Sequence, residues 1–503
     1  MKKLLTLALG AMLALGLSMP AQAASKIDVS GWYRILHHNL VNFNRAAESD
    51  YVQSDSFFEH RLNVNVDFRP SDDVLIHWTL RAPNAVRWGA SSGSNNFTQG
   101  SSNAGVVYTR AIYATITQDW GQLSIGRLEE TFPTVMNGLK TLGYTYGTTY
   151  IYANPFDYKD VVDGISYTYN MDNGFGVNVY YAKSITQDTA PDYNYRDKDV
   201  DYDRFGVEPF FKWDGGGATL NIEYRRNMTD LNRAAPIAGN NPPTTQVDRN
   251  LTRKDYAFFL NPAVMQSWGD FTIRFEGKIG WGEHETYIVD YNNNITRRKE
   301  DTEGLGLYLQ ATYNYGSGDV NLMGWFVDGS SLEESKWDKN GHRKTHDLVD
   351  MGDFAPFLVA YYEQTLGSRV SRLGDDTDRY GQSRYGNGGS RRGALGTRGS
   401  KSGSNHWGLG LLGNHNFTDK IRFNWGIGYF RLVEEEYIGQ NKDLGVEVDL
   451  GLRVQLLQGV TYETQFGYMF NGDAWRNGRG TTAIPYKDAK DTYAWLNALQ
   501  FSF

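Results

Sequence analysis

The stretch FEHRLNVNVDFR, residues 58 to 69, alternates without a break: Phe58, His60, Leu62, Val64, Val66 and Phe68 interleave with Glu59, Arg61, Asn63, Asn65, Asp67 and Arg69. Successive side chains of an extended strand point to opposite faces, so one face is largely apolar and the other carries charges and amides. A helix would scatter both sets around its axis. Pro70, Ser71, Asp72 and Asp73 then make a turn, and Val74, Ile76, Trp78 and Leu80 resume the apolar face opposite Leu75, His77, Thr79 and Arg81. The pair reads as a β-hairpin.

The same unit recurs along the chain. Short turns are predicted at QDWG (118 to 121), NMDNG (170 to 174), DGGG (214 to 217), SWGD (267 to 270), YGSGD (315 to 319), FTDK (417 to 420) and LQGV (457 to 460). With the turn at Pro70, a first strand from Ile27 to Ile35 and a last strand ending at Phe503, the count is about eighteen strands, with about sixteen as the alternative. Long connections fall between the hairpins at 38–55, 83–104, 129–160, 184–203, 226–252, 283–302, 328–404, 434–442 and 471–490. Short turns at one end and long polar loops at the other are the asymmetry of a membrane barrel, with the turns periplasmic and the loops extracellular. No linker divides the chain, so residues 24–503 read as a single domain.

Which solvent each face meets separates a barrel in lipid from a soluble sandwich. Leu444, Val446, Val448, Leu450, Leu452, Val454 and Leu456 form one apolar face, and Gly445, Glu447, Asp449, Gly451, Arg453 and Gln455 the other. That run is long for a sandwich strand and suits a tilted membrane strand. A closed barrel with lipid outside and water inside satisfies both faces and leaves no edge unpaired. After residue 24 no stretch of roughly 18 apolar residues occurs, so no helical span is expected. Mean hydropathy is −0.53 with 14% aromatic residues and no Cys. An exported chain without disulfides depends on its core or on a closed hydrogen-bond network. Export is expected from Lys2 and Lys3, the apolar run Leu4 to Leu17 and the small-residue site Ala21, Gln22, Ala23, read as a signal peptide over 1–23.

The polar face gives the chemistry of the interior. Its bases are Arg61, Arg69, Arg81, Arg204, Lys212, Arg225, Arg274, Lys278, Arg422 and Arg453. Its acids are Glu59, Asp67, Glu208, Glu223, Glu276, Glu447, Asp449 and Glu463. A wall of mixed sign holds water and sets a transverse field. At sixteen to eighteen strands the wall is too wide for its own side chains to fill, so a loop must narrow it. The 129–160 connection, with Glu129, Glu130, Asp157, Asp160 and several Tyr, is the expected constriction. The 328–404 connection is expected to be a long extracellular loop, and its apolar FAPFLVAYY, 354 to 362, to pack against the wall or across the mouth.

YATITQDWGQLSIGRLEETF, followed by a long loop and VVDGISYTYNMDNGFGVNVYYA, resembles the third-loop region of Gram-negative general diffusion porins. Length and layout resemble the outer-membrane homotrimeric porins of sulfate-reducing bacteria. NKDLGVEVDLGLRVQLLQGVTYETQFGYMFNGDAW, 441 to 475, is similar to the last hairpin of the alginate-export channel family, which has eighteen strands. The resemblance implies a homotrimer and places Arg127 in the lumen beside the constriction, whereas strand phase puts Arg127 with Leu123 and Ile125 on the lipid side. The closing stripe Tyr493, Trp495, Leu499, Phe501 and Phe503 resembles the signal read by the barrel-assembly machinery, which together with periplasmic chaperones would handle the chain; Asn497 interrupts it.

Other signals fail on physical grounds. GLGLLG, 408 to 413, matches a dinucleotide fingerprint but continues as a strand with no helix after it. The eight bases of SRVSRLGDDTDRYGQSRYGNGGSRRGALGTRGSK, 368 to 401, read as an extracellular loop rather than a nucleic-acid site. Glu283, His284 and Glu285 are adjacent on a strand end and cannot converge on one metal ion. No Ser, His and acid share a lumen layer, so no enzyme, metal or cofactor is expected. The sequence therefore predicts an outer-membrane barrel set in lipid and lipopolysaccharide, acting as a passive pore for small hydrophilic solutes and ions. The alternative is a channel for export or uptake of an acidic oligo- or polysaccharide.

Overall fold

The computed structural model describes residues 25–41, 54–87, 107–132, 158–184, 201–229, 249–289, 295–331, 338, 340–346, 348–349, 357–359, 405–434, 441–473 and 491–503. The strands are β1 (Lys26–Val41), β2 (Ser54–Ser71), β3 (Val74–Arg87), β4 (Tyr108–Gln118), β5 (Gly121–Phe132), β6 (Tyr158–Asn170), β7 (Phe175–Ser184), β8 (Asp201–Trp213), β9 (Gly216–Thr229) and β10 (Arg249–Trp268). They continue with β11 (Phe271–Val289), β12 (Ile295–Asn314), β13 (Gly318–Val327), β14 (His342–Thr345), β15 (His406–Thr418), β16 (Ile421–Leu432), β17 (Asp443–Leu457), β18 (Val460–Asn471) and β19 (Thr492–Ser502). Apart from β14, each pairs antiparallel with its neighbour, β13 skips β14 to pair with β15, and β19 returns to β1, so 18 strands close a ring.

All eight short turns lie where the sequence placed them. Two show why glycine is used: Gly215 and Gly459 both have φ of 74°, a left-handed conformation that side-chain-bearing residues rarely adopt. The structure adds to the sequence reading above the membrane. β11 and β12 run on through residues read as connection, Glu283 against Asp301 and Glu285 against Lys299. Over 283–286 and 296–303 neighbouring positions are polar on both faces, so the alternation that marks a half-apolar strand ends while the backbone ladder continues. β10, β11 and β12 consequently have 20, 19 and 20 residues, against 10 for β7 and β13.

The apolar faces point outward and remain exposed, as at Ile125, Val207, Ile222 and Leu309. Aromatic rings form a ladder across that outer surface: Tyr181 to Phe205 at 5.0 Å, Phe205 to Tyr224 at 6.3 Å, Tyr224 to Phe258 at 4.8 Å and Phe258 to Trp281 at 6.1 Å. A second band includes Phe175 with Phe211 and Trp268 with Phe271. From Trp281 to Phe271 is about 33 Å of strand, hence about 25 Å along the barrel axis at a tilt of about 40°. That is the height of the apolar belt of a transmembrane barrel, rimmed by aromatic residues at both interfaces.

The closing seam explains the polar interruption in the last strand. β1 and β19 pair from Trp32 with Ser502 to Val41 with Tyr493, and Gly31 and Phe503 exchange backbone hydrogen bonds of 2.9 and 3.0 Å. Asn497 lies on the outer face, where Tyr462 Oη donates to its Oδ1 at 2.8 Å and its Nδ2 is 3.4 Å from His37 Nδ1. His37 Nε2 is 3.1 Å from Ser56 Oγ. The amide is therefore satisfied by a chain of side chains from β18, β1 and β2, which also ties the register of the seam.

Candidate functional site

The inner face is built by the opposite parity of the same strands. Arg61, Arg81, Arg225, Arg274, Lys278, Arg422, Arg453, Glu223, Glu276, Glu447 and Asp449 all stand on it, alternating with outward apolar residues. They form clusters rather than a uniform lining. On β8 and β9, buried Glu223 accepts from Arg204 Nη2 at 2.9 Å and Tyr180 Oη at 2.6 Å, and also pairs with Arg225. On β11, Arg274 pairs with Glu276. The Arg225 guanidinium lies 4.4 Å and Lys278 Nζ 5.0 Å from the centroid of Phe259 on β10, and the Arg274 guanidinium lies 5.7 Å from Tyr308 on β12. Glu223 and Glu276 offset part of this buried positive charge, and the rings of Phe259 and Tyr308 supply further attraction for the cations.

Across the lumen, β17 and β18 present Glu447, Asp449 and Glu463, with Arg453 Nε 3.3 Å from Glu463 Oε1. On β2 and β3, His77 contacts Asp67 at 2.6 Å and Thr79 at 2.7 Å, and Arg81 donates to Asn63 at 3.3 Å. A basic, aromatic wall therefore faces a wall of mixed sign whose acids gather on β17 and β18. Such a pair imposes a transverse field on anything passing between them.

The expected constriction residues are distributed differently from the sequence reading. β5 runs to Phe132 and β6 starts at Tyr158, so Glu129, Glu130 and Asp160 belong to wall strands, with Glu129 opposite Val161 and Glu130 opposite Asp160. Asp157 and the segment 133–157 lie outside the described residues. Arg127 does not enter the lumen. It pairs in register with Ile112, no bulge interrupts β5, and it stands exposed on the face of Ile125, its Nε donating to the Arg110 carbonyl at 3.1 Å. Strand phase, not the family pattern, located this side chain.

What the structure does place inside is part of the 328–404 connection. β14 runs parallel to the upper end of β12, with Glu300 opposite Arg343, and pairs with it. Beyond it Leu348 and Val349 meet the inner wall at Gly280 and Gly304, next to Phe259. Farther along, Phe357, Leu358 and Val359 are buried against β15 to β18. A Cβ on Gly410 would lie 2.9 Å from the Phe357 ring, and one on Gly428 2.5 Å from it. Sequence reasoning missed this seat. The signal was present as Gly408, Gly410, Gly426 and Gly428 on the inward parity of β15 and β16, a lane without side chains that another segment can occupy. GLGLLG is part of that lane. Gly428→Leu is expected to expel Phe357 while keeping the strand ladder, and the check is an increase in single-channel conductance over the native chain.

No protein-family model and no curated protein matches the chain. Solved structures similar to it include OccK5 (OpdH) of Pseudomonas aeruginosa, 10% identical over 95% of this chain and 98% of that one, with a TM-score of 0.47. OccAB4 of Acinetobacter baumannii is 10% identical over 96% and 100%, with a TM-score of 0.47. An anion-selective porin from Comamonas acidovorans is 11% identical over 95% and 100%, with a TM-score of 0.40. The barrel assignment stands on the closed strand pairing itself.

Proposed function

We propose that the chain is an outer-membrane porin, a water-filled channel through which small hydrophilic solutes and ions diffuse passively. One observation carries this reading: a closed ring of 18 strands with a lipid-compatible exterior and a charged interior. A ring of that size is too wide for its side chains to fill. Transport then needs only a gradient, with flux set by the width and transverse charge of the narrowest layer. In the cell the chain would be exported by residues 1–23, assembled from its aromatic C-terminal stripe by the barrel-assembly machinery, and embedded as a homotrimer beside lipopolysaccharide. Neither a cofactor nor catalysis has a place in this mechanism.

Purified protein in planar bilayers is expected to give steady, weakly selective conductance steps; channels that stay closed across a range of voltages would sink the porin reading. Of the four acids expected at the constriction, Glu130 and Asp160 stand opposite each other in the β5–β6 register and are assigned to the acidic side of the lumen, whereas Glu129 shares the parity of Arg127. Replacing Glu130 with Ala is expected to lower the cation-to-anion permeability ratio measured from reversal potentials, and an unchanged ratio would remove that assignment.

The second reading, a dedicated channel for an acidic oligo- or polysaccharide, is favoured by Arg225 and Lys278 stacked on Phe259. Carboxylates bind such cations and sugar faces pack on such rings. An oligouronate that blocks the current at micromolar concentration, where a neutral oligosaccharide of equal length does not, would select it.

A further inference from the structure

The seat of Phe357 to Val359 has the composition of a binding site occupied by the chain's own segment. Phe357 inserts its ring beside Phe430, edge to face at 5.3 Å between centroids, with Trp325 at 6.3 Å. The floor under the ring is glycine, at 410 and 428. The next two backbone N–H groups point at carboxylates: Leu358 N donates to Asp449 Oδ2 at 3.0 Å, and Val359 N donates to Glu447 Oε1. All five of these side chains, the three rings and the two acids, are buried to 3% exposure or less.

The acid at the centre of this seat is matched only in part. Elsewhere on the inner wall a buried carboxylate meets a cation, as Glu223 meets Arg204 and Glu276 meets Arg274. Among the described residues no cation pairs with Asp449, whose side-chain partner is a second acid, Glu447. Asp449 Oδ1 lies over Gly467, where a Cβ would come within 2.5 Å of it. A buried carboxylate is costly without a counter-charge, and a neutral backbone N–H offsets less of that cost than an ammonium would.

We propose that this trough is a recognition site for amines carrying an aromatic body, and that residues 357–359 hold it as an internal competitor. The ring of such a solute takes the place of Phe357 between Trp325 and Phe430. Its ammonium takes the place of the Leu358 N–H on Asp449, with Glu447 receiving a further N–H. The solute class is the opposite in charge from the one the basic wall around Phe259 would attract, so the two faces of the lumen sort different molecules. The proposal rests on the channel reading only for how the solute arrives. Because the native segment fills the site, apparent affinity in the native chain is reduced by the fraction of time the segment is seated.

The test is calorimetric titration of L-phenylalaninamide, which has a phenyl ring, a primary ammonium and an amide N–H, into the full chain in detergent. Phe357→Ala vacates the ring position and is expected to bind the probe at least about tenfold more tightly than the native chain. Adding Asp449→Asn to that variant is expected to abolish the binding, and 3-phenylpropionate, the same ring on a carboxylate, is expected not to bind. Equal affinity in native and Phe357→Ala chains, or tight binding that survives Asp449→Asn, overturns the proposal. Leu358→Pro, which deletes the N–H that Asp449 accepts, is a second route to the vacated site should Phe357→Ala fold poorly. Heat of binding without any conductance in bilayers would count against the channel and in favour of this site; conductance without amine binding would do the reverse.

Discussion

A chain ending at Asp491 is expected to yield no folded barrel, in detergent or in vesicles. It would lose β19, and with it the register from Val460–Phe501 to Met469–Thr492 on one side and from Trp32–Ser502 to Val41–Tyr493 on the other. Two rows of N–H and C=O groups would face lipid, where each unsatisfied group costs several kcal/mol, so the total exceeds any domain's stability many times over. The measurement is heat-modifiable mobility in gel electrophoresis together with far-ultraviolet dichroism: a truncated chain that still migrates as a compact, β-rich species would contradict ring closure through β1 and β19. Phe503→Ala is a finer probe, since its backbone exchange with Gly31 does not need the ring. Reduced assembly in cells with normal refolding in detergent is the outcome that assigns the aromatic terminus to the assembly machinery.

The second large effect is expected at Glu223. Its side chain is buried between Arg204, Arg225 and Tyr180, so Glu223→Ala removes the carboxylate that two guanidinium groups share and leaves the Tyr180 hydroxyl its longer bond to Asn221 Oδ1 at 3.3 Å. Removing one partner from such a buried cluster costs about 3–5 kcal/mol, because the surviving charges keep their desolvation penalty. Reversible urea unfolding in lipid vesicles should show that loss, and Glu223→Gln, which keeps the acceptor for Tyr180, should lose less. A change below about 1 kcal/mol would mean that water enters the cluster freely and that the charges were never desolvated.

Where lipid dictates the pattern, the sequence was transparent. Phe58 to Arg69 and Val446 to Leu456 alternate because one face must be apolar and the other wet, while Leu444, read onto the outer face, is buried beside a bulge at Gly445; every short turn could be read from the break in that rhythm. The rhythm disappears where neighbouring positions are polar on both faces, which is why β11 and β12 looked shorter than they are. The inner wall was legible for the same reason as the outer one, as its complement. Which charges pair was not, since Arg204 to Glu223 depends on the stagger of β8 against β9, Arg204 being in register with Arg225. Arg127 shows that plain parity can outrank a family pattern when no bulge resets the strand. Asn497 looked anomalous only because its partners, His37 and Tyr462, are 460 and 35 residues away in the chain. The seat of Phe357 was hidden because glycine carries no chemical label, and its meaning depends on what fills the space above it.

The four residues of β14 bear on the edge that the taller strands create. β10 to β12 rise beyond the shorter strands, and the free edge of such an extension is a template for any extended segment that passes. β14 occupies that edge on the β12 side, from Lys299–His342 to Thr302–Thr345, and brings Arg343 and Lys344 with it. Its four residues carry their own counter-charges, Arg343 on Glu300 and Lys344 on Glu303, so the chain itself covers the stretch of β12 that β13 leaves open.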